Sequence, residues 1–164
     1  MLVTKVISGG QTGVDQAALA VAIQCGIEHG GWCPLGRLCE AGTIPEEYRL
    51  SETESRHYAV RTEQNVLDSD GTLVLYQGEL TRGTALTVKL LERHDKPHFI
   101  LNFDAPVGDA ELLEIQAWLL KGRVGVLNVA GPRASTNPQM GRLSFDFLLK
   151  LFDLLRGDHD GSEN

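Results

Sequence analysis

A glycine-rich turn near the N-terminus is the first stretch whose residue types could do chemistry. Residues 8–13 read Ser-Gly-Gly-Gln-Thr-Gly, and the apolar run 14–25 that follows has a helical composition. Glycines let a backbone turn tightly, and the free N–H groups and dipole of a helix N-terminus favour an oxyanion. The turn lacks the Lys of a P-loop and the spacing of a dinucleotide fingerprint. It predicts a site for a phosphate or similar anion, with a plain βα turn closed by a Thr12–Asp15 capping box as the alternative.

Two further glycine-bearing segments follow strand-like stretches later in the chain. Segment 77–84 contains Arg82, and segment 131–135 contains Arg133. A guanidinium is a planar fork suited to phosphate oxygens, although a solvated loop arginine and a Gly-Pro turn are the alternatives for each segment alone. Three such loops together predict one shared anion site. Its predicted residues are Gly9, Gly10, Gln11, Thr12, Gly13, Thr81, Arg82, Gly83, Thr84, Gly131, Pro132, Arg133 and Ser135.

The segment 30–37, Gly-Gly-Trp-Cys-Pro-Leu-Gly-Arg, can line a crevice beside that site. Trp32 can stack on a flat ring and Arg37 can meet an anion, so both are added to the predicted ligand-binding residues. Core packing is the alternative for Trp32. A contact between Cys33 and a metal is also open, although a small buried cysteine is the commoner case.

Strands and helices must bring these loops to one place. Strand-like stretches at 4–8, 71–76, 98–103 and 123–131 alternate with helical stretches at 14–25, 55–70, 83–95, 108–122 and 138–156. A brief strand is expected within 29–36 and a long loop over 37–53. Such alternation predicts an α/β fold in which helices cover both faces of a mainly parallel sheet. Ligands bind at the carboxyl ends of the strands in such sheets, and all three loops follow strands.

Composition limits the classes of function. The chain has 164 residues and a formal net charge of −7, which suits one domain over 1–156 with a frayed tail at 157–164 and disfavours a nucleic-acid binder. No membrane span or signal peptide is expected. Three cysteines without metal-ligand spacing predict reduced thiols, a cytoplasmic location and no structural metal. The apolar residues within 143–155 and 14–25 predict a homo-oligomer, a dimer or tetramer.

Four long stretches carry a resemblance to a known family: 8–37, 61–76, 80–97 and 127–135. They resemble the Rossmann-like superfamily of the DNA-processing A proteins and the cytokinin-activating phosphoribohydrolases. The branch of molybdenum-cofactor carrier proteins is more similar still. The resemblance implies a Rossmann-like, doubly wound fold, homo-oligomers and binding of a phosphorylated ligand. For the carrier branch it implies molybdenum cofactor as cargo, with molybdoenzymes as the expected recipients.

One position departs from the phosphoribohydrolase pattern. Those enzymes read Gly-Gly-x-Gly-Thr-x-x-Glu with a catalytic Glu, and alignment of Gly83-Thr84 places Thr87 at that position. A threonine cannot act as the carboxylate that stabilises an oxocarbenium-like centre or activates water. We therefore expect a carrier or storage protein without catalytic residues.

Two alternatives remain open at this point. The first is a nucleotide-binding or nucleotide-hydrolysing enzyme that acts on a nucleoside monophosphate with an acid from elsewhere in the chain. The acids available to it are Glu63, Asp68 and Asp70, followed by Glu40, Glu46 and Glu47 in the long loop. The second is a binder of single-stranded DNA, which the net charge disfavours.

Overall fold

A computed structural model describes residues 1–160 and shows a five-stranded parallel sheet between two layers of helices. The sheet consists of β1 (Lys5–Ile7), β2 (Glu28–Gly30), β7 (Gly71–Tyr76), β8 (His98–Asn102) and β9 (Val126–Ala130). Two small pairs lie apart from it: β3 (Trp32–Cys33) with β6 (Ser51–Glu52), and β4 (Leu38–Cys39) with β5 (Gly42–Thr43). The helices are α1 (Val14–Gln24), α2 (Tyr58–Asp68), α3 (Arg82–Arg93), α4 (Asp109–Gly122) and α5 (Met140–Asp160).

The order of strands in the sheet is β2-β1-β9-β7-β8, and all neighbouring strands are parallel. The strand that comes last in sequence, β9, therefore lies at the centre, between β1 and β7. Because parallel strands end at the same edge, the loops that follow β1, β7 and β9 meet there. This confirms the predicted fold class, a Rossmann-like doubly wound α/β fold.

Helices cover both faces of the sheet, and alternate residues of β7 show why. Leu73 and Leu75 point into the larger core, with α1, α4 and α5, whereas Val74 points into the smaller core, with α2 and α3. Successive side chains of a strand face opposite sides of a sheet. The continuous apolar run of β7 is therefore the pattern of a strand that is buried on both faces.

The apolar stripe of α5 packs inside the chain. Leu148, Leu151 and Phe152 are fully buried, and they pack with α1, where the small side chains of Ala18 and Ala22 leave room for a neighbouring helix. The stripe that motivated the predicted homo-oligomer thus contributes to the protomer's own core. The oligomeric state stays a prediction.

Several element boundaries differ from the predictions. The predicted loop over 37–53 contains the short strands β4, β5 and β6, which are too short to show a periodic pattern. Helix α5 continues past residue 156 to Asp160, and residues 161–164 of the predicted tail lie outside the described residues. All three cysteines are free, and Cys33 and Cys39 are buried. Within residues 1–160, no helix is long and apolar enough to cross a membrane.

Candidate functional site

A pocket opens at the carboxyl ends of β7 and β9, between α2 and α3. Its space of about 90 Å³ is well below the roughly 300–1,000 Å³ of pockets that enclose a drug-sized ligand. The pocket is lined by Gln11, Asp15, Tyr58, Ala59, Arg61, Thr62, Thr81, Arg82, Gly83, Thr84, Leu86, Thr87, Ala130, Gly131, Pro132, Arg133 and Thr136.

All three predicted loops contribute to this pocket. The predicted residues that line it are Gln11, Thr81, Arg82, Gly83, Thr84, Gly131, Pro132 and Arg133. Thr12 and Ser135 lie beside it, where both hydrogen-bond to the carboxylate of Glu40. The sheet order thus places most of the predicted residues together, and their binding of a ligand stays a prediction.

The glycines of the first loop make room for contacts within the protein. A Cβ on Gly9 would lie 2.6 Å from the guanidinium carbon of Arg61, which belongs to α2. Gly13 has a φ of 80°, and a Cβ there would lie 2.6 Å from the carbonyl oxygen of Pro132. Only glycine allows approaches this close without a shift of the neighbours. The glycine pattern therefore reflects packing of the first loop against α2 and against the third loop.

Hydrogen bonds within the chain occupy three N–H groups in and next to the first loop. Gln11 N donates to Oδ2 of Asp15 at 3.1 Å, Thr12 N donates to the side-chain oxygen of Gln11 at 3.1 Å, and Val14 N donates to the carbonyl of Pro132 at 3.3 Å. Gly13 is the N-cap residue and there is no side-chain cap, so a Thr12–Asp15 capping box does not form. The buried carboxyl group of Asp15 itself lies at the N-terminus of α1, where it accepts the hydrogen bond from Gln11 N.

Asp15 and Arg61 form a buried ion pair in the wall of the pocket. Arg61 Nη2 lies 3.9 Å from Asp15 Oδ2, and the two side chains are 14% and 5% exposed. Burial raises the pKa of the Asp15 carboxyl, while the charge of Arg61 opposes that rise. Arg61 also donates from Nη1 to Thr62 Oγ1 at 2.7 Å, and its guanidinium lies 5.6 Å from the ring centre of Tyr58. Its Nε is buried without a hydrogen-bond partner within residues 1–160, so the group retains an unused donor.

The N-terminus of α3 carries unpaired backbone donors at its first two residues. Thr84 N and Ala85 N donate to the carbonyl of Thr81, the N-cap residue. Across the described part of the chain, no acceptor is seen for the backbone N–H groups of Arg82 and Gly83, and both residues are exposed. Unpaired N–H groups at a helix N-terminus bind anions readily.

Thr87 lies one turn further along α3, in the pocket wall. Its hydroxyl donates to the carbonyl of Gly83 at 2.9 Å, and the residue is buried. The position that carries a catalytic Glu in the phosphoribohydrolase pattern therefore has a side chain that bonds back to its own helix.

The third loop carries an arginine shared between the pocket and a surface carboxylate. Arg133 lines the pocket, and its Nε lies 3.8 Å from Oε2 of Glu40, which lies at the turn between β4 and β5. Glu40 also accepts hydrogen bonds from the Thr12 hydroxyl and from the backbone N–H and hydroxyl of Ser135. The Ser135 hydroxyl makes the largest contribution to a pKa of Glu40 below its ordinary value.

Trp32 and Arg37 lie outside the pocket. The indole N–H of Trp32 donates to Asp68 Oδ2 at 2.7 Å, and a guanidinium nitrogen of Arg37 donates to the carbonyls of Pro45 and Tyr48 at 3.0 and 2.7 Å. Both side chains therefore serve local contacts. The structure does not bring these two predicted residues to the other predicted site residues.

Four of the six acids considered for catalysis, Glu40, Glu63, Asp68 and Asp70, have partners outside the pocket. Glu63 pairs with His94 at 3.1 Å, and Asp70 accepts from the backbone N–H of Val126 at 2.7 Å. None of the six candidates lines the pocket, whereas Asp15 does.

Burial raises the pKa of the Cys33 thiol. No group of three or more metal-ligating side chains is found among the described residues.

Helix α2 contributes pocket residues that were not among the predicted site residues, because spacing in the sequence alone does not place them there. Tyr58, Arg61 and Thr62 reach the pocket because the first half of α2 lies opposite the N-terminus of α3. No glycine-rich turn precedes α2, so the signal that identified the other loops is absent there. Asp15 was assigned only to a helix cap.

Comparison with known proteins supports the family resemblance. Residues 6–152 match the sequence model of the circularly permutated YpsA SLOG family. The chain is also similar to a crystal structure of a protein from Syntrophus aciditrophicus SB that is provisionally named a molybdenum carrier protein. The two are 45% identical over 90% of this chain and 93% of that chain, with a TM-score of 0.87. No curated protein matches the chain significantly. Because the family match spans most of its length, the chain belongs to the circularly permutated YpsA SLOG family.

Proposed function

We propose that this chain binds a phosphorylated heterocycle, the molybdenum cofactor, in the pocket between α2 and α3 and acts as its carrier. The name of the similar Syntrophus protein supports a role connected with molybdenum. The pocket supports an anionic ligand. In this proposal the cargo is passed to molybdoenzymes, and the carrier is cytoplasmic.

A single feature of the pocket supports the proposal most strongly. Three arginines, Arg61, Arg82 and Arg133, line it together with the open N-terminus of α3, in a chain whose formal net charge is −7. Local guanidinium groups and helix N–H groups can reverse the sign of the potential over a small region. The pocket thus concentrates donors for an oxyanion on a protein whose net charge is negative.

The size of the pocket suggests which part of such a ligand enters it. About 90 Å³ suits one anionic group rather than a whole heterocycle. Tyr58, which is 36% exposed, stands at the rim and offers a ring on which a flat heterocycle can stack. We therefore place the phosphate inside the pocket and the heterocycle at its mouth.

Arg82 provides the experiment that tests the binding. Arg82→Ala removes a charged donor worth about 1.5–3 kcal/mol, so it is expected to weaken binding about 10- to 100-fold. Arg93→Ala is the control, because it removes the same charge from the exposed far end of α3. Anaerobic fluorescence titration with released molybdenum cofactor, and calorimetric titration with AMP, inorganic phosphate and molybdate, give the affinities. Equal affinities for wild type and Arg82→Ala would contradict the proposal.

One observation favours hydrolysis of nucleotides as a second candidate function. Asp15 is a carboxyl in the pocket wall, and burial raises its pKa, which is the direction that suits a general acid. Its existing bonds to the first loop favour a structural role instead. Release of base from AMP at about 1 per second or faster, abolished by Asp15→Asn in a folded protein, would establish the enzyme over the carrier.

A further inference from the structure

Beside the pocket, a set of hydrogen-bond donors surrounds the carboxylate of Glu40. The donors are the hydroxyl of Thr12, the backbone N–H of Ser135 at 3.0 Å and the hydroxyl of Ser135, with Arg133 Nε at 3.8 Å. We call this set of donors, on Thr12, Arg133 and Ser135, the Glu40 cradle. It combines neutral and charged donors from the first and third loops, which is the chemistry that recognises an oxyanion.

The cradle is organised independently of Glu40. Ala134 N donates to the Thr12 hydroxyl at 3.2 Å, which leaves the hydroxyl proton free to point outward to an acceptor. Thr136 N and Asn137 N both donate to the carbonyl of Arg133 at 3.1 Å, and these bonds shape the turn that presents Ser135. The Thr12 hydroxyl and the Ser135 turn are therefore held by bonds within and between the first and third loops, and none of these bonds involves Glu40.

Glu40 reaches the cradle from a separate element, the turn between β4 and β5. The residue lies at the surface, and 19% of its side chain is exposed. The flanking residues Cys39 and Ile44 are buried, and Glu40 N donates to the Gln11 side chain at 2.9 Å. Because the backbone of the turn is held by these contacts, rotation of the Glu40 side chain alone is enough to empty the cradle.

We propose that the Glu40 cradle is a second oxyanion subsite, in which Glu40 is an internal competitor that a ligand with two anionic groups displaces. Arg133 links the two subsites, since it lines the pocket and also faces Glu40. The assignment of the first anionic group rests on the proposed function, whereas the cradle itself does not. The ligand class is a molecule with two separated oxyanions, such as a diphosphate or a phosphate joined to an oxometalate.

The cradle accounts for two residues that the pocket does not use. Thr12 and Ser135 do not line the pocket, yet both are directed at one carboxylate. The hydrogen bonds and the charge of Arg133 keep that carboxylate ionised, as the lowered pKa of Glu40 indicates. The ionised Glu40 carboxylate excludes a weakly bound single anion from the cradle. A ligand whose first anionic group is already held in the pocket can displace it, because binding of the second anionic group is then intramolecular.

Glu40→Ala tests the proposal in the full chain, with inorganic phosphate and pyrophosphate as probes in calorimetric titration. The variant is expected to bind pyrophosphate about tenfold more tightly than wild type and to gain a second phosphate site. Glu46→Ala is the matched control, because it removes the same charge from an exposed position in the same segment. Glu40→Gln has the same expected direction and replaces the alanine variant if that variant does not fold.

The location of the gain is checked with Ser135. In the Glu40→Ala background, Ser135→Ala is expected to reverse the gain in affinity. In the Glu40→Ala single variant, the backbone amide resonance of Ser135 is expected to shift when phosphate is added. If folded Glu40→Ala and Glu40→Gln bind both probes no better than Glu46→Ala, the cradle is not a subsite. Arg82→Ala separates the two proposals: it weakens only the pocket, so a gain that survives it supports the cradle even if the proposed function fails.

Discussion

Replacement of Arg61 by methionine tests whether the ion pair with Asp15 stabilises the wall of the pocket. The two charges lie 3.9 Å apart, and at an effective dielectric constant of about 20 their attraction is roughly 4 kcal/mol. The hydrogen bond to Thr62 adds about 1 kcal/mol. Since Gln11 N still bonds the carboxylate in the variant, we expect the free energy of unfolding to fall by about 2–4 kcal/mol at pH 7.

The pH dependence of that loss identifies its cause. Burial already raises the pKa of Asp15, and removal of Arg61 takes away the charge that opposes the rise. A carboxyl whose pKa is higher in the folded than in the unfolded state costs stability as the pH rises from the unfolded toward the folded pKa. The loss in Arg61→Met is therefore expected to be larger at pH 7 than at pH 5.

Urea unfolding at both pH values, followed by circular dichroism, measures the effect. Arg56→Met is the control, because it makes the same substitution at an exposed arginine just before α2. A loss below about 1 kcal/mol that is equal at the two pH values would refute the reasoning. So would an equal loss in the control, since the buried pair would then contribute nothing specific.

Three further predictions follow from particular contacts. Gly13→Ala is expected to lower the free energy of unfolding in urea by about 2–5 kcal/mol, because the φ of Gly13 is 80° and a Cβ there would lie 2.6 Å from the Pro132 carbonyl oxygen. Gly26→Ala is the control and should lower it less, because Gly26 has a similar φ of 67° with open space around it. Equal losses in the two variants would exclude the clash. Arg133→Ala is expected to weaken binding of phosphate or molybdenum cofactor about 10- to 100-fold, with little change in thermal stability. Arg133→Lys is expected to recover part of the lost affinity, because a point charge does not match the planar fork of a guanidinium. Unchanged affinity of Arg133→Ala in calorimetric titration would remove the third loop from the site. Light scattering at tens of micromolar is expected to give a multiple of the 17.9 kDa chain mass, and the monomer mass would refute the homo-oligomer.

Local patterns in the sequence determined the architecture. The continuous apolar run of β7 and the helical spacing that follows β1, β7, β8 and β9 are sufficient for a parallel sheet with helices on both faces. The glycine-rich loops after β1, β7 and β9 could then be assigned to the carboxyl edge of that sheet, whereas their adjacency depends on the strand order. These inferences succeeded because each depends on residues close together in the chain.

The composition of the site depended on contacts that no local pattern encodes. Arg61 enters through α2, and Glu40 meets Ser135 across 95 positions of sequence. Trp32 and Arg37, which stood in a promising segment, bond to Asp68 and to nearby carbonyls instead.

Tertiary structure also decided which helix N-terminus is free. The sequence patterns at α1 and α3 both suit an anion, but Asp15 accepts from Gln11 N and the Pro132 carbonyl accepts from Val14 N, while the N–H groups of Arg82 and Gly83 have no acceptor among the described residues. The contact with Pro132 exists because the central position of β9 brings the third loop against the first. Strand order is set by packing of the whole chain. Backbone N–H groups that look alike in sequence therefore differ in whether the protein itself already pairs them.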